Sequence, residues 1–304
     1  MKVANKLVKK SKQILFLLFV LIYSNPFFAQ NLIVIGIDGL NVADLQKTET
    51  PHIDKLMQNG SYTLAAQAVL PTKSSPNWAS MIMATTPKEH EIKSNGWQRK
   101  DVKEKSYCEG KKGETVPTIF KIFRQQNEKV NTACFHQWKD FGRLVEPNVC
   151  SEIKHTNTKN KTLKAATSYI ETQNFDLLFL HFDHVDHAGH FRGHGSKAYR
   201  RAVAKADKIV GKIVKAVEKK GTLSQTTFLL ISDHGGKGHG HGGDSPEEVN
   251  IPWIWAGAGI NSAHQIEQTV NIYDTAASIA HFFDLHTPNC WSGKIINEIF
   301  VETK

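Results

Sequence analysis

The sequence predicts an α/β protein with a mostly parallel central sheet and helices on both of its faces. Short β-branched apolar runs alternate with longer segments of helical spacing, the pattern of a βαβα series. The runs are apolar throughout rather than alternating, as strands covered on both faces are. At 304 residues, 40% hydrophobic and 22% charged, the chain has an ordinary globular composition and enough length for a large core, which excludes a disordered or collagen-like protein.

The first segment precedes that pattern. Lys2, Lys6, Lys9, Lys10 and Lys12 lead into the apolar run 14–23 (ILFLLFVLIY), which ends in Ser24-Asn25-Pro26-Phe27-Phe28-Ala29. A basic start, a short apolar core and a small residue before Gln30 read as a secretory signal peptide over 1–29, leaving a single domain over 30–304. Phe27 is larger than the residue preferred at that place, so an uncleaved anchor is the alternative, although the run is short for a span. No later stretch is a transmembrane candidate and no cysteine lies near the cut. The expectation is an exported protein, periplasmic or secreted, with no stable membrane span after cleavage.

Thirty-eight Lys and Arg against 29 Asp and Glu give +9, and the five leader lysines supply more than half of that excess. The remainder is small and scattered, with no basic stripe interleaved with aromatics, so no nucleic-acid-binding module is expected. It favours anionic substrates. Cys108, Cys134, Cys150 and Cys290 all lie in the exported part, where one or two disulfides are expected and three pairings are open.

The run 31–37 (NLIVIGI) reads as a central strand that stops at Asp38-Gly39. Thr50-Pro51 then looks like an N-cap with proline at the first helical position, which predicts a helix over 51–59 with Gly60 as its stop. Helical spacing recurs over 116–125 and 161–172, and strands are expected over 130–135 and 176–182 (DLLFLHF). The clearest helix is 196–220, with apolar residues at three- and four-residue steps from Tyr199 to Val217 and Gly221 closing it. A strand over 226–231 (TTFLLI), another over 251–255 and a helix over 273–283 complete the series. Residues 88–113 are polar, and an excursion over the site is expected there. In sheets of this kind the site lies beyond the C-terminal ends of the strands.

Metal-ligand residue types collect at those ends. Asp38 ends the first strand, Asp186 and His190 come after the strand at 176–182, and Asp233-His234 end the strand at 226–231. His241 lies in a stretch, 235–243, where six of nine residues are glycine, which lets backbone approach an ion closely. Asp186 and His190 stand four apart, so one helical turn or a tight loop aims both at one ion. Each element alone has a plainer reading: a strand-end Asp is a turn former or cap, and the histidines from His181 to His241 are a solvated surface. The repetition of acidic residue and His after separate strands counts against that reading. A second constellation is Thr72-Lys73-Ser74-Ser75-Pro76-Asn77-Trp78 before an Ala- and Met-rich helical stretch, with Pro76 expected at the first helical position. Serines at a helix start meet free N–H groups that favour an alkoxide and a bound phosphate.

IGIDGL, KSSPNW, TPKEHEI, DHAGH, SDHGG and HGGD, in this order, resemble the alkaline phosphatase superfamily, and within it the type I phosphodiesterase and nucleotide pyrophosphatase family. The resemblance implies an alkaline-phosphatase-like α/β sandwich that holds two zinc ions beside a Ser or Thr nucleophile. It implies that Asp38, Asp233, His234 and the Ser74 oxygen bind one zinc, and that Asp186, His190 and His241 bind the other. Ser74 rather than Ser75 is implied as nucleophile, and Asn77 as the donor to a phosphoryl oxygen. The implied activity is metal-dependent phosphodiesterase or nucleotide pyrophosphatase chemistry on a small-molecule phosphoester, a nucleotide among the candidates, through a phosphoseryl intermediate. The mixture of His with carboxylate suits zinc. Glu91 stands where the family has Gly, and Trp78 where it often has His, so the pocket wall is expected to differ.

Three rivals stand beside this reading. A sulfatase forms its formylglycine in a pattern with Arg where this chain has Trp78, which argues against it. An alkaline phosphomonoesterase needs an extra cationic donor, for which Lys73, Arg99 or Lys100 are candidates. A non-catalytic His-rich metal-binding protein keeps its zinc in the variant Ser74→Ala and hydrolyses nothing.

Overall fold

The apolar run after residue 30 forms β1 (Asn31–Ile37), near the middle of an eight-stranded sheet. The computed structural model describes residues 31–103, 108 and 112–302. The expected leader over 1–29 lies outside the described residues. Around β1 the sheet is built from β2 (Gly60–Gln67), β3 (Thr132–His136), β4 (Glu152–His155), β5 (Leu177–Phe182), β6 (Thr226–Ile231), β7 (Asn250–Gly257) and β8 (His264–Gln265). Their order is β4-β3-β5-β1-β6-β7-β2-β8. Neighbours run parallel except β7, which is antiparallel to both β6 and β2.

The helices of eight or more residues are, among the described residues, α1 (Pro51–Gln58), α2 (Ser74–Met83), α3 (Ile119–Gln126), α4 (Lys159–Thr172), α5 (His184–Arg192), α6 (Lys197–Lys220) and α7 (Asp274–Phe282). Side chains of a strand alternate between faces, and β1 shows both faces covered. Leu32 and Val34 pack with Met81 of α2, Phe120 of α3 and Ile279 of α7. Ile33 and Ile35 pack with Ile53 of α1, Ile170 of α4 and Val203 and Val210 of α6. This is the alkaline-phosphatase-like α/β layering, and it explains the unbroken apolar runs.

Several boundaries differ from expectation for identifiable reasons. The helix expected at 116 starts at Ile119, because Pro117 precedes it and the Thr118 hydroxyl caps the Lys121 N–H. Thr50 occupies the N-cap of α1 without making the capping bond, and its hydroxyl instead donates to Asp54 Oδ1 at 3.1 Å. Gly60 opens β2 rather than merely stopping α1; a Cβ there would lie 1.9 Å from the Trp255 carbonyl, so the close strand approach requires glycine. β7 departs from the parallel series because the residues between β6 and β7 form the glycine-rich loop and only one short helix, Pro246–Val249, with no crossover helix. β2 and β4 have no counterpart in the expected series: β2 carries a bulge between Thr63 and Ala66, and all four residues of β4 are exposed, so neither shows a clean apolar pattern.

Of the cysteine pairs left open, the structure contains Cys108–Cys290, while Cys134 and Cys150 are not joined. Among the described residues no helix is long and apolar enough to cross a membrane.

Candidate metal centre

β5, β1 and β6 are neighbours in the sheet and parallel, so the residues just beyond them converge at one edge. Asp38 is buried there, and its Oδ2 accepts hydrogen bonds from Trp78 Nε1 and His181 Nε2, both at 3.0 Å. Asp233 Oδ1 accepts from the Gly39 N–H at 3.1 Å. His234 is fully buried, and its Nδ1 lies 2.7 Å from the Gly235 carbonyl. A carbonyl can only accept, so the proton sits on Nδ1 and Nε2 carries the lone pair. That Nε2 faces Ser74 Oγ at 3.2 Å, Asp233 Oδ2 at 3.2 Å and Asp38 Oδ1 at 3.6 Å. Ser74 is the first residue of α2, with Lys73 at the N-cap, so the helix starts two residues before the proline expected to begin it.

The second group is carried by α5 and the glycine-rich loop. Asp186 Oδ2 is 3.3 Å from His190 Nε2, and Asp186 Oδ1 is 3.7 Å from His241 Nε2. His190 Nδ1 donates to the His239 carbonyl at 2.9 Å and His241 Nδ1 to the Thr72 carbonyl at 2.7 Å. Both Nε2 atoms are thereby turned inward, and they lie 3.1 Å apart. Two ring lone pairs at that distance need a proton or a cation between them. The His234 and His241 rings stack with centroids 3.8 Å apart, which joins the two groups. Donor atoms of Asp186, His190 and His241 lie within 4.8 Å of one another, and so do those of Asp38, Asp186 and His234.

The electrostatics divide the carboxylates. Burial, and then the neighbouring Asp186, push Asp38 up to about 8. Burial and Asp38 hold Asp233 well above the carboxylate range. Asp186 is also buried, but the hydrogen bond from His190 and the surrounding histidines outweigh this and bring it down to about 2. That same bond raises His190 to about 9, whereas burial drives His234 down to about 3. The ion-pair partners of these three carboxylates are histidines alone among the described residues. Asp38 Oδ1, Asp186 Oδ1 and Asp233 Oδ2 are buried without a hydrogen bond. Clustered carboxylates with unpartnered oxygens and inward imidazole lone pairs are what a divalent cation satisfies, so the residues fit metal binding.

Of the expected ligands, Ser74 Oγ, Asp233 Oδ2 and Asp38 Oδ1 lie 3.2, 3.2 and 3.6 Å from His234 Nε2, Asp186, His190 and His241 form a second group, and Asp186 also lies with Asp38 and His234. Asn77 is corrected. Its carboxamide accepts from the Val69 N–H at 2.7 Å and donates to the carbonyls of Val69, Pro71 and Lys73 at 3.1, 3.2 and 3.0 Å. Fully buried, it shapes the loop before Ser74 and has no donor left for a substrate, because it sits within the first turn of α2 and points back along the chain.

Asn95, which sequence reasoning passed over, accepts the Ser75 N–H on Oδ1 at 2.8 Å, and its Nδ2 makes no hydrogen bond among the described residues. One residue of the polar stretch, Asn95, thus lies at the start of α2. Arg99 is taken up by the carbonyls of Arg143 and Val145, at 2.9 and 2.6 Å. The guanidinium nearest the serines is Arg143, with Nη2 3.2 Å from Ser75 Oγ. His181 had a usable signal, a lone histidine in an apolar strand parallel to the one that ends in Asp38. Asn95 and Arg143 had none.

A sheet of this order with its donor groups at the strand ends places the chain in the alkaline phosphatase superfamily. Within it, the chain belongs to the type I phosphodiesterase / nucleotide pyrophosphatase family, whose profile matches residues 32–247. Among curated relatives, GPI ethanolamine phosphate transferase 1 of Candida glabrata is 28% identical over 223 residues, 69% of this chain and 24% of that protein. The bis(5'-adenosyl)-triphosphatase ENPP4 of Homo sapiens is 22% identical over 223 residues, 70% of this chain and 49% of that one. The chain thus spans a quarter to a half of the length of these relatives. Murine ectonucleotide pyrophosphatase / phosphodiesterase 5, solved as an inactive form in complex with AMP, superposes with a TM-score of 0.71 at 14% identity, covering 90% of this chain and 100% of that one. A 2-O GAG sulfatase gives 0.72 at 15% identity, covering 88% and 73%. At such identities the two structures establish the shared fold alone.

Proposed function

We propose that this protein cleaves a phosphodiester or pyrophosphate bond in a small molecule, a nucleotide among the candidates, with Ser74 as nucleophile. The observation that carries the reading is the position of Ser74 Oγ, at the start of α2 and 3.2 Å from the inward lone pair of His234. Ser74 Oγ loses its proton and attacks phosphorus as the bond to the leaving oxygen breaks and that oxygen takes up a proton; water then attacks the phosphorus of the phosphoserine in line, the bond to Ser74 Oγ breaks, and the serine regains its proton as the phosphate product leaves. At the start of α2 the Ser75 N–H is held by Asn95 and Pro76 has none, so the helix dipole and the Ser74 N–H are left to favour the alkoxide and the phosphoryl oxygens. Asn95, whose Oδ1 is held by the Ser75 N–H, presents Nδ2 as a donor to one of those oxygens.

Asp38, Asp233, His234 and Ser74 would hold one zinc, and Asp186, His190 and His241 a second. When bound, the ions supply Lewis acidity that favours the serine alkoxide and offsets charge on the phosphoryl and leaving oxygens. Trp78 and His181 orient Asp38 by occupying Oδ2, which leaves Oδ1 for the ion. Export is part of the proposal, supported by the basic and apolar start of the sequence and by the Cys108–Cys290 disulfide.

The test is kcat/KM of the zinc-loaded protein for bis(p-nitrophenyl) phosphate relative to p-nitrophenyl phosphate. A ratio well above one is expected. A ratio well below one assigns a phosphomonoesterase, and no turnover by protein of verified zinc content favours a non-catalytic metal-binding role. Ser74→Ala should keep the fold and much of the metal while losing turnover; full activity would sink the nucleophile assignment. Similarity to the ethanolamine phosphate transferase favours a second reading, in which an acceptor alcohol rather than water discharges the phosphoserine. Product analysis with and without added ethanolamine or glycerol separates the two.

A further inference from the structure

Arg143 has no part in the chemistry just described, yet it is built into the wall beside the nucleophile. It ends the short turn Lys139–Arg143 after β3. Its Nη1 pairs with Asp140 Oδ1 at 3.1 Å, and the guanidinium lies over the Trp138 ring, 5.8 Å from the centroid. Its Nη2 donates to Ser75 Oγ at 3.2 Å and also to the main-chain carbonyl of Asn95. Asn95 in turn accepts the Ser75 N–H on its side-chain Oδ1 at 2.8 Å.

These contacts close a ring through Arg143, Ser75 and Asn95. Asn95 is gripped at its main-chain carbonyl by Arg143 and at its side-chain oxygen by Ser75. A carboxamide can exchange its oxygen and nitrogen by rotation. The Ser75 N–H can donate only to the oxygen, so Nδ2 is left pointing away from the bond. Among its described residues the segment carrying Asn95 has little regular structure, the four-residue helix Pro87–His90 before it and the short turn Arg99–Asp101 beyond it. Its placement against α2 therefore depends on what ties it down. An arginine suits the task because one planar fork serves Asp140 with one nitrogen and two acceptors with the other, which a lysine ammonium does not reproduce.

We infer that Arg143 is a positioning residue, which fixes Asn95 Nδ2 against the start of α2 before substrate arrives. The inference rests on the phosphoester reading above, because it assumes that Asn95 donates to the phosphoryl group in the transition state. Such a donor acts on kcat more than on KM, and holding it in place removes a reorganisation step at the moment of reaction.

The experiment is a double-mutant cycle in the full-length, zinc-loaded protein with bis(p-nitrophenyl) phosphate, recording kcat, KM, metal content and Tm. Arg143→Ala and Asn95→Ala should each lower kcat by about 10–100-fold with KM and metal content little changed. The double variant should be no slower than Asn95→Ala alone, because both act through one donor. Arg143→Lys should fail to restore kcat, and it carries the same expectation if Arg143→Ala does not fold. Losses that multiply in the double variant, or a fall in kcat that tracks only metal or Tm, would overturn the inference. Unchanged kcat in Asn95→Ala, with Ser74→Ala inactive, overturns it too and leaves the phosphoester reading standing. Full activity in Ser74→Ala overturns both.

Discussion

The two donor groups are made of the same residue types and share Asp186 as neighbour, but one is sealed and the other opens to solvent at His190, its Asp186 and His241 side chains being only 11% and 7% exposed. Asp38, Asp233 and His234 are buried, whereas the His190 side chain is 43% exposed. The sealed group sits directly on strand ends, where the parallel ladder fixes the backbone, and each carboxylate has one oxygen held by a protein donor. The open group is borne by α5 and the glycine-rich loop, and its rings are steered by main-chain carbonyls. Burial makes the first group intolerant of change, because a carboxylate or imidazole removed there leaves the others uncompensated at low dielectric. Solvent can screen and replace at the second.

The comparison can be broken in four places, the largest effect first. Asp233→Asn should reduce kcat/KM by at least about a thousandfold and bring the bound metal, measured by elemental mass spectrometry, from two equivalents toward one. Normal turnover with two equivalents would show that the sealed group holds no essential ion. His190→Ala should cost less, about 10–100-fold, and recover substantially in excess zinc; failure to recover would make the open group as demanding as the sealed one. Trp78→Phe keeps the ring but removes the donor to Asp38 Oδ2, and metal affinity from competition with a chelator should fall by about tenfold, with the fold retained. Unaltered affinity would mean that His181 suffices to orient the carboxylate.

The smallest effect concerns pH and separates the metal groups from the rest of the fold. His90 is buried, its Nδ1 accepts the Ile92 N–H at 3.0 Å, and Nε2 meets Ser80 Oγ at 3.0 Å. Burial pushes its pKa from 6.5 down to about 3. The unfolded chain therefore takes up a proton below 6.5 that the folded chain refuses. Stability from this residue is complete above that pH and declines as pH drops toward about 3. In chelator, Tm measured from about pH 7 to pH 4 should fall, and less steeply in His90→Gln. Equal slopes would assign the acid lability to the donor groups instead.

Much of the site was legible because its ligands lie at or just past strands whose apolar runs are unmistakable. Local pattern places Asp38 and Asp233-His234 at strand ends, and Asp186 with His190 in the segment immediately after one. The opposite case is Asn77. The family resemblance implied a substrate donor there, but the start of α2 at Ser74 turns its carboxamide back onto the carbonyls of Val69, Pro71 and Lys73. β4 and the reversed direction of β7 were equally out of reach, since edge strands lack the apolar run and strand direction is not written in periodicity.

By itself the sequence determined the class of fold, the strands β1, β5 and β6, and the kinds of donor atom placed after them, because apolar periodicity and strand-end residues are local properties of the chain. Only the tertiary structure decided that β5, β1 and β6 lie side by side, that His181 and Trp78 hold Asp38, and that Asn95 and Arg143 close a ring on Ser75. Those contacts join segments far apart in the chain. Their partners are chosen by the geometry of packing around the sheet, which no spacing between residues encodes.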